Sequence, residues 1–267
     1  TGRIYIMNID HSNTHSSFKD KVNMSNLCQE ITLPTDPIQH IEGEGEIALC
    51  ILSAINVGIV KDEELESLCD LSVRGLEELI DFQEYPVNAA KVSTESRRSL
   101  GIGYIGLAHY LAKNKVKYDD PKAWELVHDL TERFQYYLLC SSADIAEEKG
   151  ACAYFDRTKY ADGILPIDTY KKEVDELVKP IYNMPWEDLR KRIKENGLRH
   201  STLTAQMPSE SSSVVSNATN GIEPPRDHLS VKKSKKGTLK QVVPQYSILK
   251  NAYTILWDMP DNTGYIN

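Results

Sequence analysis

Ile47-Ala48-Leu49-Cys50-Ile51-Leu52 is a continuous apolar run placed directly after the acidic glycine turn Glu42-Gly43-Glu44-Gly45-Glu46. A strand wetted on one face alternates apolar and polar side chains, so a run without alternation predicts a strand covered on both faces. Downstream, Lys61 to Phe82 carries Leu65, Leu68, Leu71, Leu76, Leu79 and Ile80 close to a helical period with charges opposite, interrupted only by Gly75. A buried strand followed by a helix that crosses back over it is the unit of an α/β architecture.

Towards the N-terminus, Gly2 to Ile9 alternates through Ile4, Ile6 and Asn8 and predicts a strand, while Asp10 to Asn26 is polar and turn-rich and predicts a long loop. Towards the C-terminus, Asp120 is placed as an N-cap with Pro121 at the first helical position. Trp124, Val127, Leu130, Phe134 and Leu138 follow at steps of three and four, and Gly150 closes this long helix. Trp186 to Asn196 predicts a helix stopped by Gly197, and Ser201 to Ala205 a short strand. Lys232 to Val243 predicts a hairpin turning at Lys236-Gly237, followed by a helix carrying Ile248, Tyr253, Ile255 and Leu256. No repeat, low-complexity tract or Pro/Ser-rich linker divides the chain, which predicts one domain or part of one.

Composition excludes several classes of function. The 267 residues are 40% hydrophobic and 26% charged, which is ordinary globular usage and neither disordered nor fibrous. Thirty-one Lys plus Arg against 39 Asp plus Glu leave a charge of −8, so the overall field recruits neither nucleic acid nor anionic lipid. The longest nearly apolar run, Ile47 to Val60, has 14 residues and includes Ser53 and Asn56, short of the about 20 that span a bilayer. Thr1 begins the chain without Met or a basic-then-apolar leader, and Asn267 ends it without a closing element, so both ends are expected to be cut from something longer. Five cysteines, Cys28, Cys50, Cys69, Cys140 and Cys152, are odd in number and contain no CxxC pair, which predicts a cytoplasmic protein with free thiols and no zinc site.

Asn26, Cys28 and Glu30 are spaced i, i+2 and i+4. In an extended segment these side chains emerge on one side, roughly 6 to 7 Å per step, whereas a helix would scatter them. Such a row offers an amide to orient a hydroxyl, a thiol able to react and a carboxylate to accept a proton, all within reach of one sugar ring. The same spacing also suits a small buried thiol between two solvated polar residues. Pro208-Ser209-Glu210-Ser211-Ser212 opens a helix, where unpaired N–H groups and the positive end of the helix dipole make a seat for phosphate, or where serine is simply an N-cap.

Three further patterns have a plainer reading. Gly101-Ile102-Gly103-Tyr104-Ile105-Gly106 matches the dinucleotide fingerprint letter for letter, but Ser93 to Leu100 ahead of it is no hydrophobic strand. A nicotinamide enzyme would rest on those glycines; small residues that let a helix pack closely explain them better. His11 and His15 stand four apart as a helical metal pair would, yet lie in a predicted loop and lack the accompanying glutamate. Lys232, Lys233, Lys235 and Lys236 read as the solvated tip of the hairpin.

Several strings together resemble the catalytic core of the class I ribonucleotide reductase large subunit, of the bacterial and large-phage kind. They are Thr1-Gly2-Arg3-Ile4-Tyr5-Ile6, Asp10-His11-Ser12-Asn13-Thr14-His15, Ser25-Asn26-Leu27-Cys28-Gln29-Glu30, Arg97-Arg98-Ser99-Leu100-Gly101-Ile102-Gly103, Gly197-Leu198-Arg199-His200-Ser201, Met207-Pro208-Ser209-Glu210 and Asn217-Ala218-Thr219-Asn220-Gly221-Ile222-Glu223-Pro224-Pro225-Arg226. The resemblance runs from Thr1 to Asn267. It implies part of a ten-stranded α/β barrel with a central finger loop, here the loop after Ile9, that carries Cys28 to the barrel centre.

The resemblance also implies roles. Cys28 would form a transient thiyl radical that removes the 3′ hydrogen of a ribonucleoside diphosphate, Glu30 would take the 3′-hydroxyl proton, and Asn26 would hydrogen-bond the ribose hydroxyls. Cys50 would be one of two thiols that reduce the 2′ position and end as a disulfide, although its strand pattern alone makes it an inert core thiol. Ser209, Glu210, Ser211 and Ser212 would hold the diphosphate. No metal or other cofactor is expected in this chain: the radical would come from a metal-containing small subunit, and the external reductant would be thioredoxin or glutaredoxin. Ser12 stands where relatives often have Cys. The second reducing thiol, the nucleotide-sensing regions and the first barrel strands are expected before Thr1, and the radical-delivering tyrosine pair and the cysteine tail after Asn267. The section alone is therefore expected to be inactive. The alternative is a non-catalytic piece of a split large subunit that completes a partner chain's barrel.

Overall fold

The computed structural model describes residues 4–40, 45–49, 51–234 and 237–259. In chain order the elements are α1 (Ile9–His15), β1 (Ile51–Asn56), α2 (Leu65–Phe82), α3 (Asn88–Arg97), β2 (Leu100–Ile105), α4 (Leu107–Lys113), α5 (Pro121–Lys149), α6 (Pro166–Thr169), α7 (Trp186–Asn196), α8 (Glu210–Val215), β3 (Leu229–Ser234), β4 (Gly237–Val242) and α9 (Tyr246–Leu249). Short 3-10 turns, such as Asp62–Glu64 before α2 and Leu256–Asp258 near the end, fill some connections. The architecture is mixed α/β.

The long helices form where periodicity and caps agree. In α2 the buried stripe is Leu65, Cys69, Val73, Leu76 and Ile80, at steps of three and four, whereas Leu71 and Leu79 face solvent. Burying each large aliphatic of such a stripe contributes about 1.5 to 3 kcal/mol. The 29-residue α5 starts where Lys122 N–H donates to Asp120 Oδ1 at 2.9 Å, and buries Leu130, Phe134 and Leu138. It stops at Gly150, whose φ of +87° is the left-handed conformation that glycine adopts without a Cβ penalty. Helix α7 buries Trp186, Leu189 and Ile193 and ends at Gly197.

Strands β1 and β2 neighbour one another in a two-stranded sheet, and β2 is buried along its whole length. On β2 a further segment pairs in parallel through the bridge Ile102↔Thr204, with Leu100 N–H donating to Thr202 O (3.1 Å) and Ile102 N–H to Leu203 O (2.8 Å). The predicted short strand at Ser201 to Ala205 is this segment. Strands β3 and β4 form the predicted antiparallel hairpin, in register Leu229↔Val242 through Ser234↔Gly237, so that it begins three residues earlier than expected and Gly237 belongs to β4 and not to the turn. Among the described residues the strands form two-stranded sheets and do not close into a barrel.

Four expectations are corrected. The strand predicted at Ile47 to Leu52 begins at Ile51 and runs to Asn56, and it is not covered on both faces: β2 is its neighbour among the described residues, and Ile47, Leu49 and Leu52 are exposed. Residues 4–8 form no strand, and the predicted loop contains α1. That helix has no buried residue; side chains hold it instead, with Asn13 Nδ2 donating to Ile9 O (2.8 Å), Thr14 Oγ1 to Asp10 O (2.9 Å) and Lys159 Nζ to the Asn13 and Thr14 carbonyls. The last predicted helix shrinks to α9, because the chain turns at Ala252, whose N–H bonds Leu249 O. Tyr253 and Ile255 enter a buried cluster with Ala108, Ala112 and Val243, where the Tyr253 hydroxyl donates to Pro244 O. Finally, Gly101 to Ile105 is strand β2 itself, and Gly106 at φ +83° is the turn into α4. Gly101 and Gly103 therefore sit within a strand, not after one as the dinucleotide fingerprint requires.

The chain gathers into two compact units. The first comprises Thr1–Ser53, Glu66–Ile102 and Thr131–Ala205, and the second Ala54–Leu65, Gly103–Leu130 and Gln206–Asn267. The first contains a small apolar cluster of Phe18, Val22 and Leu33, with Met7, Ile31 and Ala48 against it. The second contains the Tyr253 cluster described above.

Candidate active site

In the first unit, the chain after Val22 makes a narrow excursion and returns to Leu33. Its entrance is fixed by Asn13, whose amide accepts from Val22 N–H (2.8 Å) and donates to Val22 O (2.9 Å). Before that, residues 17 to 19 pair with 157 to 159: Phe18 bridges Thr158 antiparallel, Lys19 N–H donates to Arg157 O, and Lys159 N–H to Ser17 O. The excursion closes with Asn26 N–H to Ile31 O (3.3 Å) and Ile31 N–H to Asn26 Oδ1 (3.1 Å).

At its tip Asn26-Leu27-Cys28-Gln29 is a tight turn, with Gln29 N–H donating to Asn26 O at 3.2 Å and Gln29 at φ +64°. The extended row expected for Asn26, Cys28 and Glu30 is thus replaced by a turn. A left-handed residue between Cys28 and Glu30 breaks the alternation on which that row depends. The turn still gathers the three residues at the end of one loop. Cys28 is exposed, so it is not the buried, inert thiol that its spacing also allowed. Glu30 is half-buried, and its Oε2 is buried without a hydrogen-bond partner among the described residues. A carboxylate oxygen in that state retains its capacity to accept a proton or a hydrogen bond. Asn26 commits Oδ1 to Ile31 and forms no bond through Nδ2 among the described residues. Cys50 lies outside the described residues.

The other thiols contrast with Cys28. Burial pushes Cys69 up to about 12, with help from Glu66, and pushes Cys140 and Cys152 up to about 11. A thiol held protonated in this way is a poor nucleophile.

Sequence reasoning missed an ionic frame that joins Asp20 and Asp36, on either side of the turn in the chain. Arg97, 1% exposed, forks onto Glu46 through Nε–Oε1 (2.7 Å) and Nη2–Oε2 (2.8 Å), and its Nη1 reaches Asp20 at 3.0 Å. Arg157 contacts the same Asp20 Oδ2 at 2.6 Å and forks onto Asp36 at 3.0 and 3.1 Å. Both guanidinium groups lie by the Tyr154 ring, 5.1 and 4.5 Å from its centroid. The Arg157 guanidinium bonded to Asp36 holds that carboxyl below its usual range. Next door, Arg98 turns the other way because its own φ is +47°, and with Arg199 and His200 it surrounds the buried Glu77. The signal available in the sequence was the charged pair Arg97-Arg98 between otherwise small residues; its carboxylate partners lie 17 to 77 residues away, beyond any local pattern.

In the second unit, Ser209 precedes the six-residue α8 and makes no side-chain cap to it. Its hydroxyl instead donates to Asn220 Oδ1 (3.0 Å) and accepts from Gly221 N–H (3.0 Å). The plain N-cap reading of Ser209 is therefore replaced by a brace to the 220–221 loop. Ser212 and Ser213 hydroxyls donate to Ser209 O and Glu210 O. A cavity of about 260 Å³ beside α8 is lined by Glu210, Ser213, Thr219 and Arg226 among others.

His11 and His15 lie on α1, contrary to the predicted loop, with ring centroids 6.3 Å apart, edge to face; His15 Nδ1 bonds Thr169 O. Among the described residues no group of three or more His, Cys, Asp or Glu is arranged to hold a metal, and no helix is long and apolar enough to cross a membrane. Lys235 and Lys236 of the hairpin tip fall outside the described residues.

Comparison with known proteins places the chain in a family. The family described as ribonucleotide reductase, barrel domain, matches residues 1–256. The ribonucleoside-diphosphate reductase subunit alpha of Haemophilus influenzae is 60% identical over 272 residues, covering all of this chain and 36% of that protein. The corresponding subunit 1 alpha of Escherichia coli is 55% identical with the same coverage, and that of Enterobacteria phage T4 is 42% identical over 97% of the chain and 34% of the relative. The chain spans 34 to 36% of the length of these curated relatives. With a match that runs from its first residue to Leu256, the chain belongs to the ribonucleotide reductase barrel-domain family.

Proposed function

We propose that this chain is the section of a cytoplasmic ribonucleoside-diphosphate reductase large subunit that carries the reacting thiol, and that the remaining segments complete a ten-stranded α/β barrel around it. Cys28, as a thiyl radical, abstracts the 3′ hydrogen atom and becomes a thiol. Glu30 accepts the 3′-hydroxyl proton, and Asn26 orients the ribose hydroxyls through its amide. The 2′-hydroxyl leaves as water, with Cys50 and a second thiol supplying two electrons and ending as a disulfide. Cys28 then returns its hydrogen atom to the 3′ carbon, so that one dithiol is consumed for each deoxyribonucleotide and water formed. Ser209 and the first turn of α8, Glu210 to Ser212, seat the diphosphate. The radical is supplied by a small subunit that holds the metal, and thioredoxin or glutaredoxin reduces the disulfide.

The observation that carries this reading is the tip itself: an exposed thiol at the end of a braced loop, two residues before a carboxylate whose buried Oε2 has no partner among the described residues. A carboxylate left unpaired in this way costs stability unless a ligand uses it. The test is a full-length large subunit carrying Cys28→Ser, Glu30→Gln or Cys50→Ser, assayed for deoxyribonucleotide with its small subunit. Cys28→Ser is expected to be folded and inactive; a Cys28→Ser enzyme that still reduces nucleotide overturns the assignment.

A further inference from the structure

We propose that Arg97, seconded by Arg157, is the positioning residue of this site, setting the cysteine turn in place through carboxylates on both stems of its loop. The inference rests on the reading of Cys28 given above and goes beyond it, because the side-chain hydrogen bonds of Arg97 go to Glu46 and Asp20 and not to Asn26, Cys28 or Glu30.

The turn has little hold of its own. Leu27 and Cys28 are exposed; its closing bonds join Asn26, Gln29 and Ile31, and beyond them Ser25 Oγ donates to Asn26 O (3.0 Å) and Gln29 Nε2 reaches Ile6 O at a long 3.5 Å. Its place is therefore inherited from its stems, and each stem carries one aspartate at equal distance from the thiol: Asp20, Cys28 and Asp36 are eight residues apart. Arg97 holds Asp20, Arg157 holds both Asp20 and Asp36, and Asp20 Oδ2 is shared between the two guanidinium groups. Glu46 completes the frame. It is forked by Arg97, accepts from Asp36 N–H through Oε2 (2.9 Å), and donates its own N–H to Asp36 O (3.0 Å). Since Glu46 stands four residues before Cys50 in the sequence, one buried guanidinium links the stems of the Cys28 loop to the segment that leads to Cys50.

The chemistry favours a geometric role over a stabilising one. A buried ion pair adds little stability relative to apolar groups of the same volume, and its best-attested advantage is to specify one arrangement. Arginine is suited to this, since a planar fork fixes a carboxylate in direction as well as distance; an ammonium does not. A misplacement of about 1 Å at a reacting atom is enough to cost about 100-fold in rate.

The experiment uses the full-length large subunit with its small subunit. Arg97→Lys, Arg157→Lys and Asp36→Asn are compared with wild type and Cys28→Ser, with activity expressed per folded molecule from the unfolding amplitude. The expected result is a kcat lowered about 10- to 100-fold in Arg97→Lys and less in the two rim variants, with KM for the nucleotide within about twofold, because the frame moves the thiol and not the diphosphate seat. Wild-type kcat per folded molecule in Arg97→Lys overturns the inference, as does a loss confined to KM. If Arg97→Lys does not fold, Arg157→Lys and Asp36→Asn decide by the same criteria. Should Cys28→Ser itself retain activity, the reading of the site fails, independently of the frame.

Discussion

Replacing Glu77 by Gln perturbs the most crowded ionic centre of the first unit. The Glu77 carboxylate, 1% exposed, receives Arg98 Nε (2.8 Å), Arg199 Nε (2.7 Å) and His200 Nε2 (3.0 Å). A glutamine offers one oxygen and turns an NH2 group towards these donors, so at least one buried cation loses its acceptor. Removing one partner of a buried pair costs about 3 to 5 kcal/mol. Here the lower figure applies, because Arg98 keeps Asp81 at the rim and Arg199 keeps the Lys149 and Gly150 carbonyls. With a urea m value of about 3 kcal/mol/M, a loss of about 3 kcal/mol moves the midpoint down by about 1 M. Glu78→Gln is the internal comparison: that side chain is 70% exposed and pairs with Lys149 on the surface, so its loss is expected to cost under about 1 kcal/mol. Urea unfolding of the two variants side by side, by circular dichroism, checks this; equal midpoints would refute the reasoning.

The same centre sets a pH dependence. Burial pushes His200 below its ordinary value of 6.5, partly opposed by Glu77, so the unfolded chain binds this proton first and stability falls as pH drops below about 6.5. Burial alone would raise the Glu77 carboxyl, but hydrogen bonds from His200, Arg98 and Arg199 outweigh it and hold it well below the usual 4.5. Its contribution is therefore full above that value and is lost as pH falls further. Wild type should lose more stability than Glu77→Gln between pH 5 and pH 3, and urea midpoints across that range measure it. Gly75→Ala in α2 should stabilise by about 1 kcal/mol, because a Cβ there meets nothing within 4 Å and the residue is exposed in a helix interior; an unchanged or lowered melting temperature counts against it. Iodoacetamide at pH 8 should alkylate Cys28 ahead of Cys69, Cys140 and Cys152, of which about one molecule in a thousand or fewer is thiolate when the group titrates near 11 or 12. Peptide mapping reads the order, and Cys69 or Cys152 labelling as fast as Cys28 contradicts it.

The elements legible in the sequence are those that local rules decide. Helix α2 carries its periodicity within itself, α5 and α7 carry theirs together with the stop glycines Gly150 and Gly197, and the hairpin forms about the predicted turn, although Gly237 opens β4, paired with Ser234. Helix α1 was illegible because its support is polar and comes partly from Lys159, far along the chain. The covering of β1 was misread because an apolar run states only what a strand can bury; what neighbours it depends on the rest of the sheet. At the candidate site the residue types were legible and their geometry was not. An N-x-C-x-E string gives no sign that Gln29 will adopt φ +64°, and that one dihedral converts a row into a turn.

On the proposed reading of the site, chemistry and rigidity belong to different residues. Asn26, Cys28 and Glu30 occupy a turn held by a few hydrogen bonds, whereas the buried Arg97 and Glu46 form with the partly exposed Asp20, Arg157 and Asp36 an ionic frame whose bonds go to none of the three. A reactive group on a tight turn gains access to substrate but loses the packing that would fix it, so its precision must be imported from a stiffer neighbour. Forked ion pairs can supply that precision without filling the space at the tip, as apolar packing would. Changes at the tip should therefore alter reactivity at nearly constant stability. Changes in the frame should alter both, and the two sets should be non-additive in kcat wherever the frame acts through the turn.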